Sequence, residues 1–113
     1  MIKNKSNGKL ISIEKKVCKN VFSKLKGLMF EKEIKEPLVF VFKKNNYIAL
    51  HMCFVFFPID VLFLDENKIV VDKKENFLPW TFYTSKEKAL YAIELDYGII
   101  KKTKTKVGDK IEF

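Results

Sequence analysis

The chain has no arginine and no glutamine, and only one histidine, one tryptophan and two cysteines in 113 residues. Without arginine it lacks the planar fork that reads base edges bidentately, so direct base readout is not expected. A lone histidine and the absence of any Cys-x-x-Cys pair remove the usual ligand spacing of a structural zinc site. Cys18 and Cys53 are too few for the disulfide framework of a small secreted domain, and both are read as buried reduced thiols. Four glycines and three prolines leave no room for a long flexible linker, and a single domain over residues 1–113 is expected. The start, MIKNKSNGKLISIEKK, lacks the apolar core of a signal peptide. A cytoplasmic protein is expected.

What is abundant is apolar mass and lysine. Apolar residues make up 48% of the chain, with eleven Phe, enough to close one core and offset ordering entropy. The net charge is +8, and all 22 basic residues are lysine, interleaved with 14 acids rather than gathered in one block. That spread is read as a solvated surface. A lysine-mediated RNA or anionic-surface binder is the rival reading.

The densest stretch runs from Leu38 to Leu64, LVFVFKKNNYIALHMCFVFFPIDVLFL. Leu38 to Phe42 is read as a buried strand, Lys43 to Asn46 as a turn, and Tyr47 to Phe57 as a long antiparallel return strand. Pro58 interrupts it and Ile59 to Leu64 resumes. His51, Pro58 and Asp60 inside this stretch argue against a membrane span. Asp65 to Lys68 turns into a hairpin with Ile69 to Val71. An N-terminal strand is expected within Lys9 to Lys19, and a short helical turn in Val21 to Phe30, where apolar residues recur at three and four. Lys73 to Tyr83 reads as a loop, and Thr84-Ser85-Lys86-Glu87 has capping-box spacing that could open a helical turn. Ala89 to Leu95 alternates as a strand, Asp96 to Gly98 turns, and Lys110 to Phe113 closes the chain. The fold class is mostly β: a small antiparallel β-barrel or sandwich with one or two short helical turns.

These pieces occur in a particular order: Lys26-Gly27-Leu28-Met29-Phe30, Leu38 to Phe42, His51-Met52, Pro58-Ile59-Asp60 through Asp65, Pro79-Trp80, Leu95 after Glu94, Gly98, and Gly108-Asp109. In that order the chain resembles domain-of-unknown-function family 192, over roughly Lys9 to Phe113. The resemblance implies a compact, mostly-β domain of archaeal type and no established reaction. Where many members carry Trp-Met-x-Asn-Thr, this chain has His51-Met52-Cys53-Phe54-Val55. Lys26 stands where the family has arginine. Any ligand role built on that Asn, Thr or Arg does not transfer.

Candidate residues are the polar and aromatic groups set among apolar neighbours. His51 and Cys53 share one face of a strand but lie too far apart for a thiol–imidazole pair, and His51 is read as a hydrogen-bonded core histidine. Asp60 is expected to accept backbone N–H groups left free near Pro58, on the rim of a pocket; ligand contact is the rival role. Glu94 is read as a solvent-side partner of a lysine, and Trp80 as a cap on the barrel. The candidate binding residues are Asp60, His51, Lys26, Trp80 and Glu94, with no catalytic residue, metal or cofactor assigned. The expected function is a non-enzymatic binding or regulatory module for a small ligand or protein. The rival is an enzyme with Asp60, His51 and Lys26 in one cleft.

Overall fold

The computed structural model describes residues 1–19 and 31–113. Its strands are β1 (Ile2–Asn4), β2 (Leu10–Ser12), β3 (Lys16–Cys18), β4 (Leu38–Asn46), β5 (Ala49–His51), β6 (Ile59–Leu64), β7 (Val70–Phe77), β8 (Phe82–Thr84), β9 (Ala89–Asp96) and β10 (Ile111–Glu112). A single turn of helix, α1 (Ile99–Lys102), follows β9. The main sheet has the order β3-β4-β9-β6-β7, with β10-β1-β2 forming a second sheet and β5-β8 a third. All pairings are antiparallel except β3 on β4. The mostly-β expectation holds. The main sheet ends at β3 and β7 without closing on itself, so the molecule is not a barrel.

Both faces of the main sheet are covered. On one face Phe40, Val61, Phe63 and Ala92 pack with Ile48, Met52 and Val55, and with Leu50 and Tyr83 from the β5-β8 ribbon. On the other Val39, Leu62, Leu64, Ile93 and Leu95 pack with Ile2, Ile11 and Ile111 from the small sheet and with Ile100. This double burial explains why β6 reads IDVLFL with no polar alternation, and every one of its residues is buried.

Several local expectations give way to tertiary context. Lys43 to Asn46 is not a turn: β4 runs on through it, and its pairing passes from Val41↔Tyr91 to Asn46↔Ala89. Residues 42–45 therefore bow out opposite Leu90, which lets the two lysines reach solvent inside a strand. β4 pairs with β9 and β3 rather than with the segment that follows it. That segment is a strand only at Ala49–His51. Met52 and Val55 then turn inward while Phe54 and Phe56 stay outside, a spacing of three that a period-two strand cannot produce. β7 extends through the expected loop to Phe77. Ser85 opens no helix, because its hydroxyl accepts the Ile48 N–H at 2.9 Å and donates to the Glu87 carbonyl at 2.8 Å. The N-terminal strand divides into β2 and β3, and the expected turn over Val21 to Phe30 lies outside the described residues.

Phe40 sits in the centre of β4, almost wholly buried and opposite Ala92. Phe40→Ala is expected to cost about 3–5 kcal/mol of stability, readable in urea unfolding. A loss under about 1 kcal/mol would mean that the side chain is not in the core.

Candidate functional site

Asp60 is fully buried on the Leu62 side of β6. Its Oδ1 accepts the Asn76 N–H at 3.0 Å, and its Oδ2 accepts those of Gly98 at 2.9 Å and Ile100 at 3.1 Å. The donors do not come from the break at Pro58. Asn76 belongs to a bulge, since β6 and β7 pair Ile59↔Phe77 and then Val61↔Lys74. Gly98 and Ile100 open α1, whose first N–H groups have no partner within the helix. Gly98 has φ 93°, a conformation that side-chain-bearing residues rarely adopt. Asp60 thus ties a strand bulge to a helix start. It is a buried anchor rather than a pocket-rim residue.

Glu94 lies on the opposite face of the same sheet, between Leu38 and Val61 on the neighbouring strands. Only 9% of its surface is exposed. It is therefore not on the solvent side, and it makes no hydrogen bond or ion pair among the described residues. Burial pushes its carboxyl up to about 7. Cys18, two strands away on the same side, has its thiol raised first by burial, and also by the charges of Glu94 and Glu36 against the lowering effect of Lys16. Both cysteines are free, Cys18 buried as expected and Cys53 only partly buried.

Two further buried acids are structural, and neither was among the candidate binding residues. Asp72 accepts the Tyr83 hydroxyl at 2.6 Å and the Lys86 N–H at 2.9 Å. Burial and then this bond push the Tyr83 hydroxyl up to about 12. Asp109 accepts from the Asn4 amide at 2.9 Å and the Lys106 N–H at 3.0 Å, tying the first strand to the last turn. Among the described residues, no three His, Cys, Asp or Glu side chains gather around a possible metal position.

His51 and Trp80 are brought together elsewhere. His51 is exposed, not a core residue; its Nδ1 accepts the Cys53 N–H at 3.2 Å. It stands opposite Phe82 across the β5-β8 ribbon. Beyond that pair, the Met52 N–H donates to the Thr81 carbonyl and the Trp80 N–H to the Met52 carbonyl, both at 2.8 Å. Trp80 does not cap the core, for 53% of it is exposed. Its ring meets Phe54 at 5.0 Å and Phe56 at 6.3 Å, both edge-on. Phe54 and Trp80 hold φ 61° and 64°, costly for bulky side chains. Phe56 and Phe82 are 59% and 74% exposed, and Leu78 is exposed beside them. Phe54, Phe56 and Trp80 thus form an exposed aromatic cluster on strained backbone. Lys26 falls outside the described residues. Of the remaining four candidates, the structure joins His51 with Trp80 and separates Asp60 and Glu94 onto opposite faces of the main sheet. Phe54 and Phe56 were missed because an apolar run around a histidine reads as core, and Phe82 because its segment, Lys73 to Tyr83, reads as a loop.

Fold and surface together define a small, mostly-β domain with a buried polar anchor and an exposed aromatic face. The profile of DUF192, Uncharacterized ACR, matches residues 2–113, and the chain belongs to this family. It is 38% identical to the UPF0127 protein PF1050 of Pyrococcus furiosus, over 97% of this chain and 95% of that one. It is 35% identical to a UPF0127 protein of Thermococcus sibiricus, over 100% and 74%. Among solved structures, a protein of unknown function from Novosphingobium aromaticivorans shares the fold, with a TM-score of 0.81 at 23% identity over 88% of this chain and 74% of that one. No helix among the described residues is long and apolar enough to cross a membrane.

Two substitutions test the buried acids. Asp60→Asn keeps the shape but turns an NH₂ group toward one or two of the three N–H donors. The expected cost is about 1–3 kcal/mol, read from unfolding midpoints; a variant as stable as the parent would show that the three bonds carry no stability. For Glu94, the carboxyl binds its proton more tightly folded than unfolded. Its contribution is complete below the ordinary value of 4.5 and is lost as pH rises through about 7. Glu94→Gln should therefore flatten the fall in melting temperature between about pH 5 and about pH 8, and stabilise the protein at the higher pH. An unchanged pH profile would place the carboxyl in contact with solvent.

Proposed function

We propose that this domain is a non-enzymatic binding module of the cytoplasm, with the outer side of the β5-β8 ribbon and the adjoining turns at Phe54 and Trp80 as its contact surface. The observation that carries the reading is the exposure of Trp80, Phe56 and Phe82 next to backbone held at positive φ. Folding alone gives no return for leaving three large rings more than half exposed, where each forgoes part of the roughly 1.5–3 kcal/mol that full burial contributes. A rival enzyme would need Asp60 and His51 in one cleft. Asp60 instead spends both oxygens on backbone N–H groups inside the fold, whereas His51 stands in solvent.

The test uses an aromatic anionic probe, 8-anilinonaphthalene sulfonate, on the native protein. The probe is expected to brighten on binding, and Phe56→Ser with Phe82→Ser should abolish the signal. Each substitution alone should leave stability within about 0.5 kcal/mol, as is usual for exposed positions. Loss of several kcal/mol would show that the rings serve the fold instead, and an undiminished signal would move the binding surface elsewhere.

A further inference from the structure

The chain segments that build this aromatic surface, residues 43–59 and 77–86, contain Lys43, Lys44, Lys86 and His51 but no aspartate or glutamate, although the whole chain has 14 acids. The acids next in sequence are Asp60, which is buried, Glu75, which pairs with Lys73 at 3.4 Å, and Glu87. The lysines and the rings occupy different ends. Lys43 and Lys44 share a hollow of about 210 Å³ with Tyr47, Ile48 and Ala49, and Lys86 lies two residues beyond Thr84, the cross-strand partner of Ala49. At the other end stand His51, Phe82, Trp80, Phe54 and Phe56. Ala49 to His51 spans about 7 Å of strand. Lys43, Lys44 and Lys86 therefore flank one end of the ribbon and the exposed rings the other; the nearby acids are engaged, Glu66 with the Asn45 amide at 3.0 Å and buried Asp72 with the Lys86 N–H at 2.9 Å.

Resting on the reading of this face as a binding surface, we propose that its occupant is a single-stranded nucleic acid, with bases stacked on Trp80, Phe56 and Phe82 and phosphates toward Lys43, Lys44 and Lys86. Sequence-tolerant single-strand binding combines a positive track with aromatic platforms and needs no hydrogen-bond code. That suits a chain without arginine, which cannot make the usual bidentate contacts to bases. Trp80 meets Phe54 and Phe56 edge-on at 64° and 65° rather than in parallel stacks. His51, Thr81 and Thr84 are exposed among them. These polar groups fit the hydrogen-bonding edges of bases and would be costly to bury in a lipid acyl layer. A second copy of the chain would bring +8 against +8 with the same lysines facing each other, which disfavours self-association through this face.

Trp80 is the only tryptophan, so its fluorescence reports on this surface alone. Titration of the whole chain at low salt with single-stranded oligo(dT) of about 16 nucleotides should quench it saturably. A duplex of the same length should not. Affinity should fall at least about fivefold in Phe82→Ala, and comparably in the doubly substituted Lys43→Glu, Lys44→Glu protein, whose exposed positions leave the fold intact. It should also weaken as salt is raised, because phosphate contacts release counterions. If oligo(dT) leaves Trp80 unchanged while the naphthalene probe still binds, the nucleic-acid assignment fails and the binding surface stands. If neither binds, both fail. Binding that Phe82→Ala and Phe56→Ala leave unaltered would be phosphate attraction alone and would overturn the stacking geometry. A blue shift on phosphatidylcholine vesicles carrying phosphatidylglycerol, without a response to oligo(dT), would assign the face to a lipid surface instead.

Discussion

The pairing of β6 with β9 is the constraint on which the other layers depend. Six consecutive residue pairs, from Ile59↔Asp96 to Leu64↔Tyr91, join two strands whose side chains are buried on both sides. A strand pair with no solvent face cannot stand alone, so each side requires a cover. The β10-β1-β2 sheet and α1 supply one, and the chain around β5 and β8 supplies part of the other. The same constraint makes every polar atom within the pair expensive. Asp60 meets that cost with three backbone donors. Glu94 meets it with none among the described residues, which is why burial alone governs its proton affinity.

This double burial also decides what could be read from the chain. The apolar runs Leu38 to Phe42 and Ile59 to Leu64, the alternation at Ala89 to Leu95 and the turns at Asp65 and Gly98 identify three central strands and the hairpin β6-β7. Partners were less legible. Local spacing suggested that β4 pairs with the segment after Asn46, whereas β4 lies against β9, more than forty residues along the chain. Non-local pairing leaves no mark in a short window. Polarity misled at Glu94. In a one-faced sheet Glu94 would point outward, opposite to Ile93 and Leu95. In a sheet covered twice, outward is simply the other core.

The candidate residues divide along the same line. That Asp60 had to be bonded was legible from its apolar neighbours, but its donors came from Asn76 and Gly98, brought near by a bulge and a left-handed turn. Trp80 and His51 were visible as isolated rare residues. Their exposure was not, because the stretch from Met52 to Phe57 is as apolar as any core strand. The turn at Phe54 divides it, sending Met52 and Val55 inward and Phe54 and Phe56 outward. Sequence periodicity has no signature for one residue at φ 61°.

The architecture then restricts where this protein can meet another molecule. Its main sheet offers no open face, and Asp60, Asp72 and Asp109 are consumed in holding strands, turns and the helix start together. The β5-β8 ribbon is different. Leu50 and Tyr83 point from it into the core, while His51 and Phe82, one residue along each strand, point out. A two-stranded ribbon is marginal by itself and depends on its inner side for stability. Its outer side is therefore released from the demands of packing. An outer side carrying large rings, with acids excluded from its own sequence and lysines at one end, is a surface whose composition folding does not require.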